Sequence, residues 1–348
     1  MDLKQIKRIK FLGLGFLLMS VATQASELKV GGYADLEYQM QHVTNRQNTF
    51  MVGDSVITLK KEMDNAQFFV KIPFSTPSTG ATTSAFQVFQ TKGQAWVAYK
   101  YESGLSWKIG QIGKVFGVQD PDSGMRFFSR GGLLQPSSTN SGLWDANHPA
   151  LVLSYDLTDS MSLMGYVADP PAKSGIFNGT INDNYDFGLQ LKGKDGGLAW
   201  SLGGRRWQRK ANYVLDELLD AYLSYNMDEW TFEANADWKK SAYSLQTGTG
   251  YYLQIIYALS DKLSLGTRGE YVLNGNYTTT TIAATTTTPA VTTYAQIYRQ
   301  KEIAVGPEYN FTKSFRARLD GAYGRTQATS KSGSTNTKTG TMSVVYKF

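Results

Sequence analysis

Residues Trp230–Trp238 read WTFEANADW, and this stretch decides how the chain is interpreted. Apolar residues stand at every second position, and polar or charged residues stand between them. Because the side chains of a β-strand point alternately to opposite faces, the stretch predicts a strand with one apolar and one polar face. The last seven residues, MSVVYKF, alternate in the same way and end on Phe348.

The same alternation recurs along the chain, and the connections between the alternating segments are of two kinds. Short turns are expected at seven places: 63–65, 102–104, 158–160, 194–196, 227–228, 260–261 and 312–313. Long polar segments are expected at eight places: 40–49, 73–93, 113–148, 169–184, 208–217, 240–249, 274–295 and 327–337. Seven turns and eight loops predict 16 antiparallel strands of about ten residues, with both chain ends on the turn side. Residues 214–225 are also compatible with an amphipathic helix.

A transmembrane antiparallel β-barrel explains this pattern better than a soluble β-sandwich. A closed barrel satisfies every backbone polar group between its strands, so it can cross lipid with only every second residue apolar. The aromatic residues gather near the predicted strand ends, as in the girdles at the two surfaces of a membrane. A sandwich would need a second apolar layer, whereas the opposite faces here are polar.

The first 25 residues predict export. Four basic residues precede the apolar run Phe11–Val21, and small residues follow up to Ala25. This order is typical of a cleaved secretory signal, and the apolar run is too short for a spanning helix. We therefore expect a signal peptide over 1–25 and a single barrel domain over 26–348.

The amino-acid composition limits which metal, cofactor and nucleic-acid sites the chain could form. The chain has no cysteine and two histidines, His42 and His148, both in or beside predicted loops. No disulfide framework or thiolate metal site is possible, and we expect no metal and no cofactor. The formal charge of +6 falls by three once the basic leader is removed, which is too weak to indicate nucleic acid as a partner.

No sequence motif indicates catalysis. We find no nucleophile elbow G-x-S-x-G, no zinc motif H-E-x-x-H and no phosphate-binding loop G-x-x-x-x-G-K. We therefore do not expect an enzyme. A barrel hydrolase and an adhesin are the less favoured alternatives.

The polar faces of the predicted strands identify candidate pore-lining residues. Sixteen strands leave an aqueous channel, in which charged side chains stay hydrated. The candidates are Lys108, Arg205, Arg268, Glu270, Arg316, Arg318 and Asp320.

The segment 113–148 is about 36 residues long and is the candidate constriction loop. It carries charged residues at Asp120, Asp122, Arg126, Arg130 and Asp145. Folded into the barrel, it would narrow the channel, and its acids could face the arginines of strands 13 to 15 across the pore. A lid over the mouth and a contact between subunits are the alternatives. This field suggests a mild preference for anions.

The chain resembles Gram-negative porins, and among them the OmpL-like β-barrel porins. The resemblance rests on the signal peptide, the alternating strands, the long loop after the fifth strand and the C-terminal MSVVYKF. Residues Lys108–Gly117 also resemble the stretch that opens the constriction loop of porins. No dense arginine ladder occurs on the first strands, so the selectivity of the enterobacterial type is not carried over.

The resemblance implies several properties. It implies an integral protein of the outer membrane of a Gram-negative bacterium, surrounded by lipid, working as a passive diffusion channel for small hydrophilic solutes and ions. It implies a homotrimer, and a C-terminal signal at Phe348 that the barrel assembly machinery reads. A substrate-selective channel for sugars or organic acids is the alternative that the sequence leaves open.

Overall fold

The computed structural model describes the chain over most of its strands and short turns. The described residues are 27–42, 46–52, 55–74, 93–113, 127, 148–168, 185–209, 214–241, 246–275, 280–282, 291–293, 297–328 and 334–348. The expected leader, residues 1–25, lies outside them. Within the described residues, no helix is long and apolar enough to cross a membrane.

The described part of the chain forms 19 β-strands. The first nine are β1 Lys29–His42, β2 Arg46–Val52, β3 Ser55–Met63, β4 Ala66–Phe74, β5 Gln94–Lys100, β6 Leu105–Ile112, β7 His148–Thr158, β8 Met161–Ala168 and β9 Tyr185–Asp195. The next five are β10 Leu198–Arg209, β11 Val214–Met227, β12 Trp230–Ser241, β13 Gln246–Ala258 and β14 Leu263–Gly275. The last five are β15 Thr280–Ile282, β16 Val291–Thr293, β17 Ile297–Asn310, β18 Phe315–Ala328 and β19 Ser334–Lys347.

Seventeen of these strands form one antiparallel sheet that closes on itself, because β1 pairs with β19 on one side and with β2 and β3 on the other. The strands β2 and β3 lie end to end along β1 and act as one strand of the wall. The wall therefore has 16 strands, which confirms the predicted number. The short strands β15 and β16 form a separate hairpin. At the seam, the amide of Gly32 donates to the carbonyl of Phe348 at 3.0 Å.

All seven predicted turns are present within two residues of their expected positions. Three of them are two-residue connections that contain a residue with positive φ: Asp64, Asp228 and Gly196. Such turns match the right-handed twist of paired strands and tolerate aspartate and glycine. The long connections all lie at the opposite end, so the predicted asymmetry of the barrel is confirmed.

Four of the eight long segments are shorter than predicted. The strands around them continue instead, and β1, β11, β17, β18 and β19 each reach 14 residues. For example, β10 ends at Arg209 and β11 begins at Val214, where the sequence predicted a loop over 208–217. The backbone pairing of β10 with β11 thus continues to Arg209 and Val214, inside the segment that was predicted to be a loop. The helix considered for 214–225 is wrong, because these residues form β11.

The two faces of the wall are chemically opposite. On β12, Asn235 and Asp237 point inward and are 4% and 3% exposed, whereas Trp230 points outward and is 39% exposed. Outward positions elsewhere hold leucine, isoleucine, valine and tyrosine, while inward positions are rich in charged and amide side chains. The barrel is thus apolar outside and polar inside, the reverse of a soluble protein.

Aromatic residues ring the turn end of the outer face. Trp230 packs against Tyr257 with ring centroids 4.4 Å apart, and Phe311 lies 4.8 Å from Tyr309 and 5.1 Å from Phe315. At the loop end, Tyr251 stacks with Tyr271 at 6.3 Å. The two bands correspond to the predicted girdles.

Candidate functional site on the inner wall

The seven predicted pore-lining residues all lie on inward-facing positions of the wall. Lys108 is on β6 and Arg205 on β10. Arg268 and Glu270 are on β14, and β18 carries the other three, Arg316, Arg318 and Asp320. Each of them is separated by an even number of positions from inward-facing residues of the same strand. Each of the four arginines among them forms an ion pair.

Arg268 is held between two acids. Its Nη2 donates to Oε1 of Glu302 at 2.8 Å, and its Nε lies 3.1 Å from Oε1 of Glu270. The Arg268 side chain is 1% exposed. One cation therefore contacts two carboxylates on neighbouring strands.

Arg316 and Arg318 are also neutralised. Nη1 of Arg316 lies 3.0 Å from Oε2 of Glu308 on β17. Nη2 of Arg318 donates to Oδ2 of Asp35 on β1 at 3.0 Å, and its Nε donates to the Ser343 hydroxyl on β19 at 2.9 Å. Arg316 thus links β18 to β17, and Arg318 links β18 to the two strands of the seam. Each of the two charges is matched by a nearby carboxylate.

Arg205 forms the fourth pair. Its Nε donates to Oδ1 of Asp186 at 2.9 Å, and the hydroxyl of Tyr166 donates to the same oxygen at 3.0 Å. All three side chains are buried, so the cluster crosses β8, β9 and β10 as one hydrogen-bonded unit. A shielded pair of this kind contributes little field to the open part of the barrel.

Two lysines of the opposite wall differ from the arginines. Nζ of Lys108 lies 4.4 Å from the ring centroid of Trp96, and Lys192 is exposed to the barrel interior. Among the described residues, neither lysine lies within ion-pair distance of a carboxylate. Lys192 also lines a cavity of about 930 Å³ near the turn end, together with Gln190, Ser201 and Tyr222. Accessible positive charge therefore lies on the wall from β6 to β9.

A group of acids lies on β11 and β12. Asp220 is 2% exposed and accepts a hydrogen bond from Nδ2 of Asn235 at 2.9 Å. Glu233 accepts from Nε2 of Gln254 at 2.8 Å and from the hydroxyl of Tyr252 at 3.2 Å. Amide and hydroxyl groups thus donate hydrogen bonds to these carboxylates. The acids of β11 and β12 therefore lie two to three strands away from Lys192 on β9.

Phe127 is the one described residue between Gly113 and His148, the two ends of the predicted constriction loop. Its ring lies so close to the inner face of Gly266 on β14 that a methyl group there would overlap it. The loop leaves from β6, the fifth strand of the wall, and β14 is the thirteenth, so the two stand half a barrel apart. Phe127 therefore lies against the wall opposite the point where its loop begins. The loop residues Asp120, Asp122, Arg126, Arg130 and Asp145 lie outside the described residues.

The two histidines give no further information. Their backbones lie in β1 and β7, but the side chains of His42 and His148 lie outside the described residues. Over the described part of the chain, no group of three or more histidine, aspartate and glutamate residues could hold a metal ion.

Several inward residues were missed by sequence reasoning. Glu302 and Glu308 stand at even positions of β17, and the outward Ile303, Val305 and Tyr309 stand at odd ones. That parity was available in the sequence and would have identified both acids. Trp96 and Phe127 carried no such signal, because an apolar residue on an inner face contradicts the alternation.

The fold matches solved outer-membrane channels. The outer membrane channel DcaP of Acinetobacter baumannii aligns with a TM-score of 0.65 at 10% identity, covering 94% of this chain and 99% of that one. The anion-selective porin from Comamonas acidovorans aligns with a TM-score of 0.61 at 11% identity, covering 93% and 100%. OmpT of Vibrio cholerae in its trimer form aligns with a TM-score of 0.60 at 14% identity, covering 93% and 100%. At these identities the likeness shows a shared fold.

Sequence comparison shows the family. No curated protein matches the chain. A family model described as putative beta-barrel porin-2, OmpL-like, matches residues 27–348, which is the whole chain after the expected leader. Together with the closed 16-strand wall, this match places the protein in the outer membrane as an integral β-barrel. The chain belongs to the OmpL-like β-barrel porin family.

Proposed function

We propose that this porin is a water-filled passive diffusion channel for small hydrophilic solutes and ions, with a mild preference for anions. The observation that carries the proposal is the inner wall, which is polar and charged around a closed barrel of 16 strands. Barrels of this size hold an aqueous channel, whereas those of about eight strands are filled by side chains.

The anion preference rests on which charges a solute can reach. The four inward arginines are paired with carboxylates, and Asp220 and Asp237 are almost fully buried. Lys108 and Lys192 have no acidic partner within the described residues and face the interior. Charged groups at a narrow part of a pore raise the local concentration of the opposite ion. Anions should therefore pass along the β6 to β9 wall.

The loop 113–148 would form the constriction. The position of Phe127 against Gly266 supports a loop that crosses the interior rather than one that covers the mouth. In this proposal the loop acids Asp120, Asp122 and Asp145 supply negative charge across the narrow region, and Arg126 and Arg130 moderate it.

Conductance of the purified mature protein in planar lipid bilayers tests this function. A diffusion channel should give discrete current steps whose size rises in proportion to salt concentration. Reversal potentials in a salt gradient should indicate more permeation by chloride than by potassium. A barrel that inserts without conducting would contradict the proposal, and a cation-selective reversal potential would contradict the anion preference alone.

One observation favours a narrower function, a channel tuned to organic acids. The rings of Phe69 and Trp96 stack at 5.0 Å on the inner wall, and Lys108 lies over Trp96. An aromatic surface beside a cation suits a solute that has both an apolar ring and a carboxylate. Benzoate should then reduce the chloride current at concentrations where acetate does not. Equal effects of the two anions would favour the general channel.

We also propose that three subunits form a homotrimer. In this proposal the barrel assembly machinery inserts each subunit by reading the C-terminal signal at Phe348. The outer face is apolar over most of its circumference, so it can contact either lipid or a second subunit. The fold is shared with OmpT in its trimer form. Native mass spectrometry in detergent should give three times the monomer mass, and a uniform monomer would contradict this part.

A further inference from the structure

Four basic side chains form a patch on the outer face of the barrel at its loop end. They are Arg299 and Lys301 on β17, Arg325 on β18 and Lys338 on β19, and all four are exposed. We name this group the outer basic patch. Lys301 lies directly opposite Arg325 in the strand pairing, and Lys338 lies opposite Tyr323, the next outward residue of β18.

The patch has no acid near it on the same face. Each described acid of these three strands, Glu302, Glu308 and Asp320, points inward and is at most 8% exposed. None of the four basic side chains forms an ion pair with a described residue. Like charges placed directly opposite on neighbouring strands destabilise a sheet, and Lys301 with Arg325 is such a pair. The arrangement therefore favours an anion supplied from outside the chain.

The position of the patch along the barrel axis indicates the source of that anion. Farther toward the turn end, the same outward faces carry Ile303, Leu319 and Met342, which are 62%, 53% and 52% exposed. These residues belong to the apolar band that contacts lipid tails. Tyr271 marks the boundary, since Nζ of Lys301 lies 5.7 Å from the centroid of its ring. The patch thus stands at the depth of lipid headgroups.

The loop end of an outer-membrane barrel faces the outside of the cell. We propose that the outer basic patch binds the phosphate groups of lipid molecules in the outer leaflet. Neighbouring strands are about 4.8 Å apart, and alternate residues of one strand are roughly 7 Å apart, so the four cations lie close enough to share one phosphorylated headgroup. Arginine and lysine both bind phosphate oxygens, arginine often through two hydrogen bonds.

The opposite side of the barrel provides an internal comparison. Arg206 on β10 is exposed on the outer face at the loop end, but its Nε lies 3.5 Å from Oε1 of Glu217. At this similar position along the barrel axis, the charge of Arg206 is neutralised by Glu217 of the same chain. Removal of Arg206 should therefore change lipid binding little, which makes Arg206→Gln the matched control.

The test uses the full mature protein in a neutral detergent and native mass spectrometry, with lipid A carrying two phosphates as the probe. The combined change Arg299→Gln, Lys301→Gln, Arg325→Gln and Lys338→Gln should weaken binding at least about tenfold, because each cation near an anionic lipid surface contributes to attraction. Arg206→Gln should leave it within about twofold. Lipid A with one phosphate should bind less tightly than the form with two.

Inorganic phosphate separates the two possible sources of the anion. If the site is built for lipid, millimolar phosphate should not displace lipid A, and displacement by phosphate would overturn the proposal. Equal binding by the fourfold variant and the wild type would also overturn it. So would a change of oligomeric state of the variant in lipid-free detergent, since the patch would then contact a second subunit.

A measurement on the unaltered protein keeps the test independent of folding. Raising the salt from 0.01 M to 1 M shortens the Debye length from about 30 Å to about 3 Å. Lipid A binding by the wild type should then weaken by at least about tenfold if phosphates meet the patch. Binding that does not depend on salt would show an apolar contact and overturn the proposal.

Discussion

Asp35 and Arg318 stand 283 positions apart in the chain, and their side chains form an ion pair of 3.0 Å across the strand that closes the barrel. Ser343 on that strand, β19, accepts a second hydrogen bond from Arg318. The contact joins β18, β19 and β1 on the inner face, beside the backbone bonds between Gly32 and Phe348. The seam of the barrel is thus held by side chains as well as by the sheet.

Asp35→Asn should destabilise the folded barrel. The change leaves the Arg318 guanidinium buried without its carboxylate, and loss of one partner of a buried pair costs about 3–5 kcal/mol. The urea midpoint of unfolding in lipid vesicles should fall. Arg318→Met alone should have a similar effect, and the double variant should lose less than the sum of the two.

Arg325→Gln is the control for this prediction, because Arg325 is on the same strand but exposed and has no acidic partner within the described residues. Its effect should stay within about 0.5 kcal/mol. Additive losses from Asp35→Asn and Arg318→Met would contradict the coupling that the structure shows between these residues.

Lys108→Gln together with Lys192→Gln should shift selectivity toward cations. Both lysines are accessible cations of the β6 to β9 wall, so their loss should lower the ratio of chloride to potassium permeability about two- to threefold. The shift should be larger in dilute salt, where the Debye length reaches about 30 Å at 0.01 M. Reversal potentials in bilayers measure it.

Lys262→Gln with Lys313→Gln removes the same charge from exposed turns and should leave the reversal potential unchanged. The paired arginines provide a second comparison. Because Arg316 and Arg318 are matched by Glu308 and Asp35, we expect their replacement to affect assembly more than selectivity. An unaltered reversal potential after loss of both lysines would contradict the proposed anion path.

Phe127→Ala should widen the channel. The ring lies on the inner face of β14 and occupies space inside the barrel. Its removal should raise single-channel conductance roughly 1.2- to 1.5-fold, since the narrowest cross-section limits the current. Phe232→Ala removes a ring from the outer face of β12 and should leave conductance unchanged. Equal conductance of the wild type and Phe127→Ala would show that Phe127 lies away from the narrowest part.

Export should remove residues 1–25. The small residues ending at Ala25 fit the requirements of signal cleavage, so the mature protein should begin at Ser26. Intact mass and N-terminal sequencing of protein purified from outer membranes measure this directly. A mature protein that still carries Phe11–Val21 would contradict the prediction.

The alternation of apolar and polar residues in the sequence determined which side chains of most strands face inward and which face outward. A strand shows its two faces through neighbouring residues, so WTFEANADW alone separates Trp230 from Asp237 without any tertiary contact. Turn residues such as Asp64, Asp228 and Gly196 are equally local, because they allow the backbone conformation that a two-residue hairpin requires. The number of strands, the side on which the turns lie and the inward position of the seven candidates could therefore be predicted.

Tertiary structure decided which charges remain accessible. Whether Arg318 is paired depends on the register of β1 against β19 in the closed barrel. The register observed places Asp35 within hydrogen-bonding distance of Arg318. The contact of Phe127 with Gly266 depends on the width of a barrel whose opposite walls are eight strands apart. Alternation assigns a side chain to a face, but only closure of the sheet assigns its partner. For that reason the sequence could predict that the arginines face inward beside Glu270 and Asp320. It could not predict that closure of the barrel pairs them with Asp35, Glu302 and Glu308.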